Sequence, residues 1–450
     1  MQILDKLLAQ AQQAQQQKRW SQAIELYLQA LEQSVVTTQQ SEFIYLNIAL
    51  IFGQQQQLKP ALNYFQKVLE YNPKNPTAHS GIGQILHRFE QLESALQHYQ
   101  QALTYEPSLH NFLLTAKTFH RLGRYQQAML CYKEAAKIDP QSAELLFSVA
   151  LLQLLHGNYK EGWQHYEARW QLPERGFILP VIRQPQWRGE DIQQKTLLII
   201  HEQGFGDSIQ FLRYLPLLKV KKLILKCHAP LIPVVEQSFK HLAIDIIEAN
   251  TPILESYDCY VPLASLPHIF KTQLDSIPHN IPYLKANSAK IQQWKTVLTA
   301  EKTNIGIVWS GNPDQVNNAN RLCPLDYFLQ LAQNPSIKLY SLQKGQPAQQ
   351  LMPDMPIQDC SDQLQDFSDT AALIQALDLV ITVDTSVAHL AGALGQKTWV
   401  ILAYVPDWRW LLNRQDSPWY PTSTLFRQTQ AKDWTPVFTQ LQHELNQLIS

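Results

Sequence analysis

Val383-Asp384-Thr385-Ser386-Val387-Ala388-His389-Leu390-Ala391-Gly392-Ala393-Leu394-Gly395 follows the apolar run Leu379-Val380-Ile381-Thr382 and passes at once into small, helix-forming residues. The run reads as a buried strand, and a strand that ends in Asp-Thr-Ser before a helix turns the first helical N–H groups into a crevice. Those groups and the helix dipole suit a phosphate or diphosphate. In open α/β sheets such a turn stands at the carboxyl end of a parallel strand, where ligands bind.

Working outward, Glu202-Gln203-Gly204-Phe205-Gly206-Asp207-Ser208 follows Thr196-Leu197-Leu198-Ile199-Ile200 and repeats this geometry with a carboxylate at its tip. An amphipathic helix is expected over 209–215, and apolar runs at 223–225, 244–247 and 259–263 alternate with helix-like or loop stretches. A second cycle starts at Asn304-Ile305-Gly306-Ile307-Val308-Trp309 and continues through 337–342, 379–383 and 398–402. This alternation implies parallel sheets in two successive Rossmann-like units, over 196–300 and 301–450, with a cleft between them.

A chain of 450 residues exceeds one ordinary core, so two or three domains are expected. With 45% apolar and 17% charged residues the composition is that of a soluble globular protein. A formal net charge of −1 without a basic run offers no field for nucleic acid or an anionic membrane. Cys131, Cys227, Cys259, Cys323 and Cys360 are scattered, which argues against a disulfide framework or a zinc site. Met1-Gln2-Ile3-Leu4-Asp5-Lys6 lacks the layout of a signal peptide, and no apolar run approaches the roughly 20 residues that span a bilayer. A cytoplasmic location is expected.

The first third has a different grammar. A small residue followed by an aromatic recurs at Ala61/Tyr64, Ala95/Tyr99, Ala128/Tyr132 and Gly162/Tyr166, with the small residues 34, 33 and 34 positions apart. Pro73, Pro107 and Pro140 each fall twelve residues after the first three. The small residue lets paired helices approach, the aromatic fills the groove and the proline ends the second helix. An irregular earlier copy begins near Trp20 and Ala23, 38 residues before Ala61. About four and a half repeats are expected over 1–170. The glutamine-rich stretches, Gln54-Gln55-Gln56-Gln57 among them, read as solvated helix surface. A linker or elbow follows at 171–195, where Pro173, Pro180, Pro185, Gly176 and Gly189 break the helical period and Pro185-Gln186-Trp187-Arg188-Gly189 looks exposed.

The N-terminal segment resembles the tetratricopeptide repeat (TPR) family. From about Pro185 onward the chain resembles glycosyltransferase family 9, the heptosyltransferase-like GT-B enzymes, in the subgroup where such repeats precede the transferase. The residues that carry this are Glu202 to Phe211, Trp309-Ser310-Gly311-Asn312-Pro313, Ser341-Leu342-Gln343-Lys344-Gly345 and Phe367-Ser368-Asp369-Thr370-Ala371. Asp384 to His389, Pro406-Asp407-Trp408-Arg409-Trp410 and Asp416 to Pro421 complete the set. The implied fold is a multidomain α plus α/β chain, a TPR α-solenoid followed by a GT-B fold of two Rossmann-like domains.

The resemblance implies an inverting glycosyltransferase that takes a nucleotide-diphosphate sugar as substrate and needs no metal or other cofactor. Asp207 would be the general base on the acceptor hydroxyl, within an acceptor-side loop that includes Gly204 and Gly206. Asp384, Thr385, Ser386, Val387 and His389 would form the donor phosphate site, with Asp384 orienting the loop or touching the donor sugar because a bare carboxylate repels phosphate. Ser310, Gly311 and Asn312 would approach the donor, Arg321 would neutralise the departing phosphate, and Gln343 and Lys344 would reach the nucleoside. The repeats would present a protein or glycan acceptor, or dock a protein partner.

Each residue also has a structural reading. Asp207 serves equally as an N-cap for a helix beginning at Ser208. His389 reads as a buried histidine of a capped helix, and Gln343 and Lys344 as a solvated strand end. Trp408, Trp410, Trp419 and Tyr420 read first as packing. Where the subgroup usually carries His, Asp and Arg-Ser, this chain has Gln315, Asn318 and Arg321-Leu322. The alternative is therefore a TPR interaction scaffold with a degenerate, non-catalytic GT-B domain. A nucleotide-sugar epimerase is a weaker third reading.

Overall fold

A computed structural model describes residues 2–177, 182–253, 255–315 and 318–449. Pro180, counted above in the linker, lies outside the described residues. The chain divides into two compact units, Met1–Val149 and Ala150–Ser450.

The first unit is helical. The helices are α1 (Gln2–Gln16), α2 (Trp20–Leu31), α3 (Thr38–Gln54), α4 (Leu58–Tyr71), α5 (Pro76–Arg88), α6 (Leu92–Tyr105), α7 (Leu109–Arg121) and α8 (Tyr125–Ile138), and α9 (Ala143–Leu155) begins within it. They pack as antiparallel pairs, α1 on α2, α3 on α4, α5 on α6 and α7 on α8, and each pair packs on the next. Ala23, Ala61, Ala95 and Ala128 are wholly buried. A methyl group at these positions lets the paired backbones close, which a longer side chain would prevent. Tyr27, Tyr99 and Tyr132 fill the grooves, while in the second repeat Phe65 is the buried aromatic and Tyr64 stacks on Phe52 at 5.5 Å.

The second unit opens with α10 (Tyr159–Tyr166), which the repeat period assigns to the last repeat, so the period runs past the boundary between compact units. Its strands are β1 (Thr196–Ile200), β2 (Lys222–Cys227), β3 (Ile244–Glu248), β4 (Cys259–Pro262), β5 (Thr303–Val308), β6 (Ile337–Ser341), β7 (Ile357–Asp359), β8 (Leu379–Val383), β9 (Thr398–Leu402) and β10 (Ser423–Arg427). Its remaining helices are α11 (Phe205–Phe211), α12 (Ile232–Phe239), α13 (Leu266–Ile269), α14 (Ser288–Lys295), α15 (Asn318–Arg321), α16 (Leu325–Leu331), α17 (Phe367–Ala376), α18 (Ser386–Ala393) and α19 (Thr435–Ile449).

Two sheets result whose named strands pair in parallel, ordered β3-β2-β1-β4 and β10-β9-β8-β5-β6-β7, with one antiparallel bridge from Asp416 to Thr424 of β10. Counted within the larger sheet, the order is 6-5-4-1-2-3, that of a doubly wound fold, and its strand order reverses between β5 and β8. The register is Ile305 with Leu379 through Val308 with Thr382. In the smaller sheet the reversal lies between β1 and β4. Both faces of a parallel sheet must be covered. Accordingly Ile305, Ile307, Ile381 and Trp399 share one core with Phe328 of α16 and with Phe438, Leu441 and Leu445 along one face of α19.

Two local expectations shift. Helix α11 starts at Phe205, four residues before the expected amphipathic helix, and a 3₁₀ turn over Leu212–Leu217 follows it because Pro216 cannot continue an α-helix. The segment at 185–187 is docked: Trp187 N–H donates to the Tyr260 carbonyl at 2.8 Å and the indole is buried.

Candidate functional site

The loops that leave β5 and β8 meet at the reversal of the larger sheet. Arg321 ties them together. Its Nη1 donates to the Asp384 carbonyl at 3.1 Å, and its guanidinium lies flat over Gly311, where any Cβ would come within 2.6 Å of Nη2. Gln315 accepts from Nη2, while Nε is buried without a partner. Asn318 donates to Ser310 Oγ at 3.3 Å. The exposed Leu322 lends its carbonyl to the Trp434 indole at 3.1 Å. The three departures from the subgroup pattern thus have local polar or backbone partners here.

Gln343 Oε1 accepts from the N–H groups of both Trp309 and Ser310, at 3.1 and 3.0 Å. It shapes the β5 loop from within and is buried. Lys344 is exposed and donates to the Ser361 carbonyl at 2.6 Å. Asn312, also exposed, accepts from Asp314 N–H.

Side chains of the N-cap residues cap α14 and α17, whereas none caps α18, nor α11, α12, α13 or α16. Thr385 stands at its N-cap with its hydroxyl turned to Thr382 Oγ1 at 3.1 Å. Asp384 precedes it. Burial, then the charge of Asp407, pushes the Asp384 carboxyl up to about 6, against the pull of Arg321, Trp410 and Arg409.

His389, in the first turn of α18, is buried. Its Nδ1 bonds Tyr420 Oη at 2.9 Å and its ring stacks on Trp410 at 5.5 Å. Burial, with Arg409, Arg213 and Arg321 nearby, holds its pKa well below the usual value, so the ring is neutral at pH 7. Two glycines permit this arrangement. A Cβ on Gly206 would come 2.7 Å from His389 Cδ2, and one on Gly392 would come 2.4 Å from Tyr420 Cγ. The latter neighbour is a fully buried ring with no room to yield. Gly392→Ala is therefore expected to cost about 1–3 kcal/mol of stability by overpacking, seen as a lowered urea midpoint. An unchanged midpoint would remove this packing account of Gly392.

Gly206 belongs to α11, so α11 and α18 bring the smaller and larger sheets together at the site. Asp207 is not the N-cap of a helix starting at Ser208. It sits in the first turn of α11, where Oδ2 accepts from Gly204 N–H at 2.9 Å. Its Oδ1 forms an ion pair with Arg409. Arg409 also donates through Nη1 to Asp407 at 2.8 Å and through Nε to Gln210 at 2.6 Å, and lies 4.2 Å over the Trp408 ring. Burial disfavours its charge, but Asp407 and then Asp207 outweigh that and raise its pKa.

The reversal of the smaller sheet is filled by protein. Arg169, wholly buried, reaches Glu202 with Nε and Nη2, both at 2.8 Å. Glu202 Oε1 also accepts from Ala264 N–H at 3.0 Å. Ser265 Oγ accepts from Arg169 and donates to Glu167. The guanidinium is flanked by Tyr166 at 4.8 Å and Trp170 at 4.6 Å. Beside it, Trp163 of α10 meets Trp408 at 5.2 Å, and Trp419 Nε1 donates to Tyr159 Oη at 2.9 Å. Trp408, Trp410, Trp419 and Tyr420 are all buried, which is packing.

Sequence reading gave no role to Arg409, quoted only within its motif, or to Arg169, and it took Tyr420 for packing without its bond to His389. The signal for Arg409 was its place between Trp408 and Trp410, since arginine flanked by indoles is where cation–π contacts arise. Among the described residues no cluster of three metal-ligating side chains occurs, and no helix is long and apolar enough to cross a membrane.

Residues 54–135 match the family model for anaphase-promoting complex, cyclosome, subunit 3, and residues 116–157 match that for the TPR repeat. The N-terminal region carries tetratricopeptide repeats. The chain is 26% identical over 344 residues to Protein FlbA of Caulobacter vibrioides, which covers 69% of this chain and 57% of FlbA. It thus spans little more than half the length of that relative. Solved structures similar to it include a tetratricopeptide repeat protein from Parabacteroides merdae, 18% identical with a TM-score of 0.34, covering 39% of this chain and 68% of that one. Another is MamA from Desulfovibrio magneticus, 12% identical with a TM-score of 0.32, covering 38% and 93%.

Proposed function

We propose that the α/β unit is an inverting glycosyltransferase of GT-B type that takes a nucleotide-diphosphate sugar, and that the repeats hold a protein partner or acceptor. The observation that supports it best is the meeting of α11 and α18. A carboxylate in the first turn of one helix stands near the uncapped N-terminus of the other. An anionic leaving group suits the amides of Ser386 and Val387 and the fork of Arg321. The acceptor oxygen would bond to the anomeric carbon as the bond from that carbon to the diphosphate breaks. The hydroxyl proton would pass to Asp207, and the nucleoside diphosphate would leave with the electron pair.

The scaffold reading draws on one observation, the engagement of both Asp207 oxygens by Gly204 and Arg409. Thermal-shift and calorimetric titration with UDP-, GDP- and ADP-sugars separates the two. Glycosyl transfer predicts that at least one donor binds and that Arg321→Ala weakens it about 10–100-fold. Asp207→Asn is expected to lower turnover about 10²–10⁴-fold without loss of binding. Failure of every donor to bind would leave the scaffold reading.

A further inference from the structure

We propose that Arg409 is a shared cation that exchanges partners: it holds Asp207 before the donor binds, and passes its Nη2 edge to the donor diphosphate afterwards, releasing the carboxylate for the acceptor hydroxyl. This rests on the glycosyl-transfer reading above.

The geometry separates what stays from what moves. Nε is held by Gln210 and Nη1 by Asp407, and the guanidinium plane rests on Trp408. These contacts fix the plane and leave Nη2 as the edge whose partner, Asp207 Oδ1, lies on the facing helix. Arg409 adjoins Trp410, whose ring stacks on His389 in the first turn of α18 at 5.5 Å, and its charge bears on Asp384 just before that helix. Asp207 needs only Oδ2 to cap α11 through Gly204. Loss of the ion pair therefore leaves the helix cap intact and frees Oδ1.

The exchange is favourable because a diphosphate carries more charge than one carboxylate and matches the planar fork of arginine. It also orders the reaction. Until the diphosphate arrives, an acceptor hydroxyl must share Oδ1 with the Arg409 guanidinium. Once Arg409 turns to the phosphate, the base is released at the moment the leaving group is neutralised.

A double-mutant cycle read by binding tests this. Calorimetry with UDP, GDP and ADP is run on the full chain and on Asp207→Asn, Arg409→Lys and both together, with circular dichroism confirming each fold. If Asp207 and the diphosphate compete for one cation, Asp207→Asn tightens nucleoside diphosphate binding about tenfold. That gain shrinks to less than about twofold in the Arg409→Lys background, where the fork is gone. Unchanged or weaker binding in Asp207→Asn overturns the exchange, as does the same gain in both backgrounds. Should Arg409→Lys not fold, the same cycle is run with Arg409→Gln, which also removes the fork, and the same two outcomes decide. If the wild-type chain binds none of the three nucleotides, the glycosyl-transfer reading itself falls, a distinct outcome.

Discussion

Arg169→Ala should destabilise the α/β unit by about 3–5 kcal/mol, the cost of leaving a buried charge without its partner. The stranded group would be Glu202. Its carboxylate has both oxygens on the Arg169 fork and is otherwise met by Ala264 N–H, with Gln203 at a marginal 3.5 Å. Three segments lose their tie together: the loop after β1 that leads to Gly204 and Asp207, the loop after β4 at Ala264 and Ser265, and the turn at Glu167. Surface pairs offer no comparable effect. Arg124 and Glu93, both well exposed, are worth less than about 1 kcal/mol. Urea unfolding followed by tryptophan fluorescence would read the difference, because Trp170 flanks Arg169 and Trp163 meets Tyr166 on its other side. Arg169→Met with Glu202→Gln, which removes both charges, should recover part of the loss. A midpoint for Arg169→Ala within error of wild type would refute the account.

The Arg169–Glu202 network shows where sequence reading stops. Ala61, Ala95 and Ala128 were legible as packing positions because helix pairs repeat one local geometry, and a period survives in the chain. The strands β1 to β6, β8 and β9 were legible from their apolar runs. β7 is three residues with one apolar, and β10 reads Ser-Thr-Leu-Phe-Arg, so neither stood out from a loop. The residues at the reversal of the larger sheet, Ser310, Gly311, Asp384 and Thr385, were placed because strand ends carry ligand loops in any doubly wound sheet. Their partners were not. Arg409 and Asp207 are 202 positions apart, and Arg213 and Trp419 are 206. Such pairings are set by how two sheets meet, and no spacing along the chain encodes them. Gln343 illustrates the same limit: it was placed at a strand end, yet only the fold shows its amide oxygen turned back on the β5 loop.

Asp384→Asn should make the protein more stable at pH 7.5, by on the order of 2 kcal/mol, and equally stable at pH 4. The wild-type carboxyl titrates at about 6 in the fold, pushed up by burial and Asp407, against about 3.9 in an unfolded chain. Between those values the folded state binds more protons than the unfolded one, so the slope of unfolding free energy with pH is negative. The stability tied to this group is fully present below about 3.9 and lost as pH rises through about 6. Histidines act oppositely. His389, His228 and His201, the last held at about 4, are all depressed by burial first. Each withdraws stability as pH falls below about 6.5. Wild-type stability alone would therefore blur the two trends, whereas the wild-type-minus-variant difference between pH 4 and 7.5 isolates Asp384. A difference that does not vary with pH would show that the carboxyl imposes no such penalty. On the glycosyl-transfer reading proposed above, a residue that costs stability at neutral pH at the reversal of the larger sheet is kept for donor binding. The same variant should then lose selectivity or affinity for the donor even as it gains in urea midpoint, and the two measurements on one protein test that trade directly.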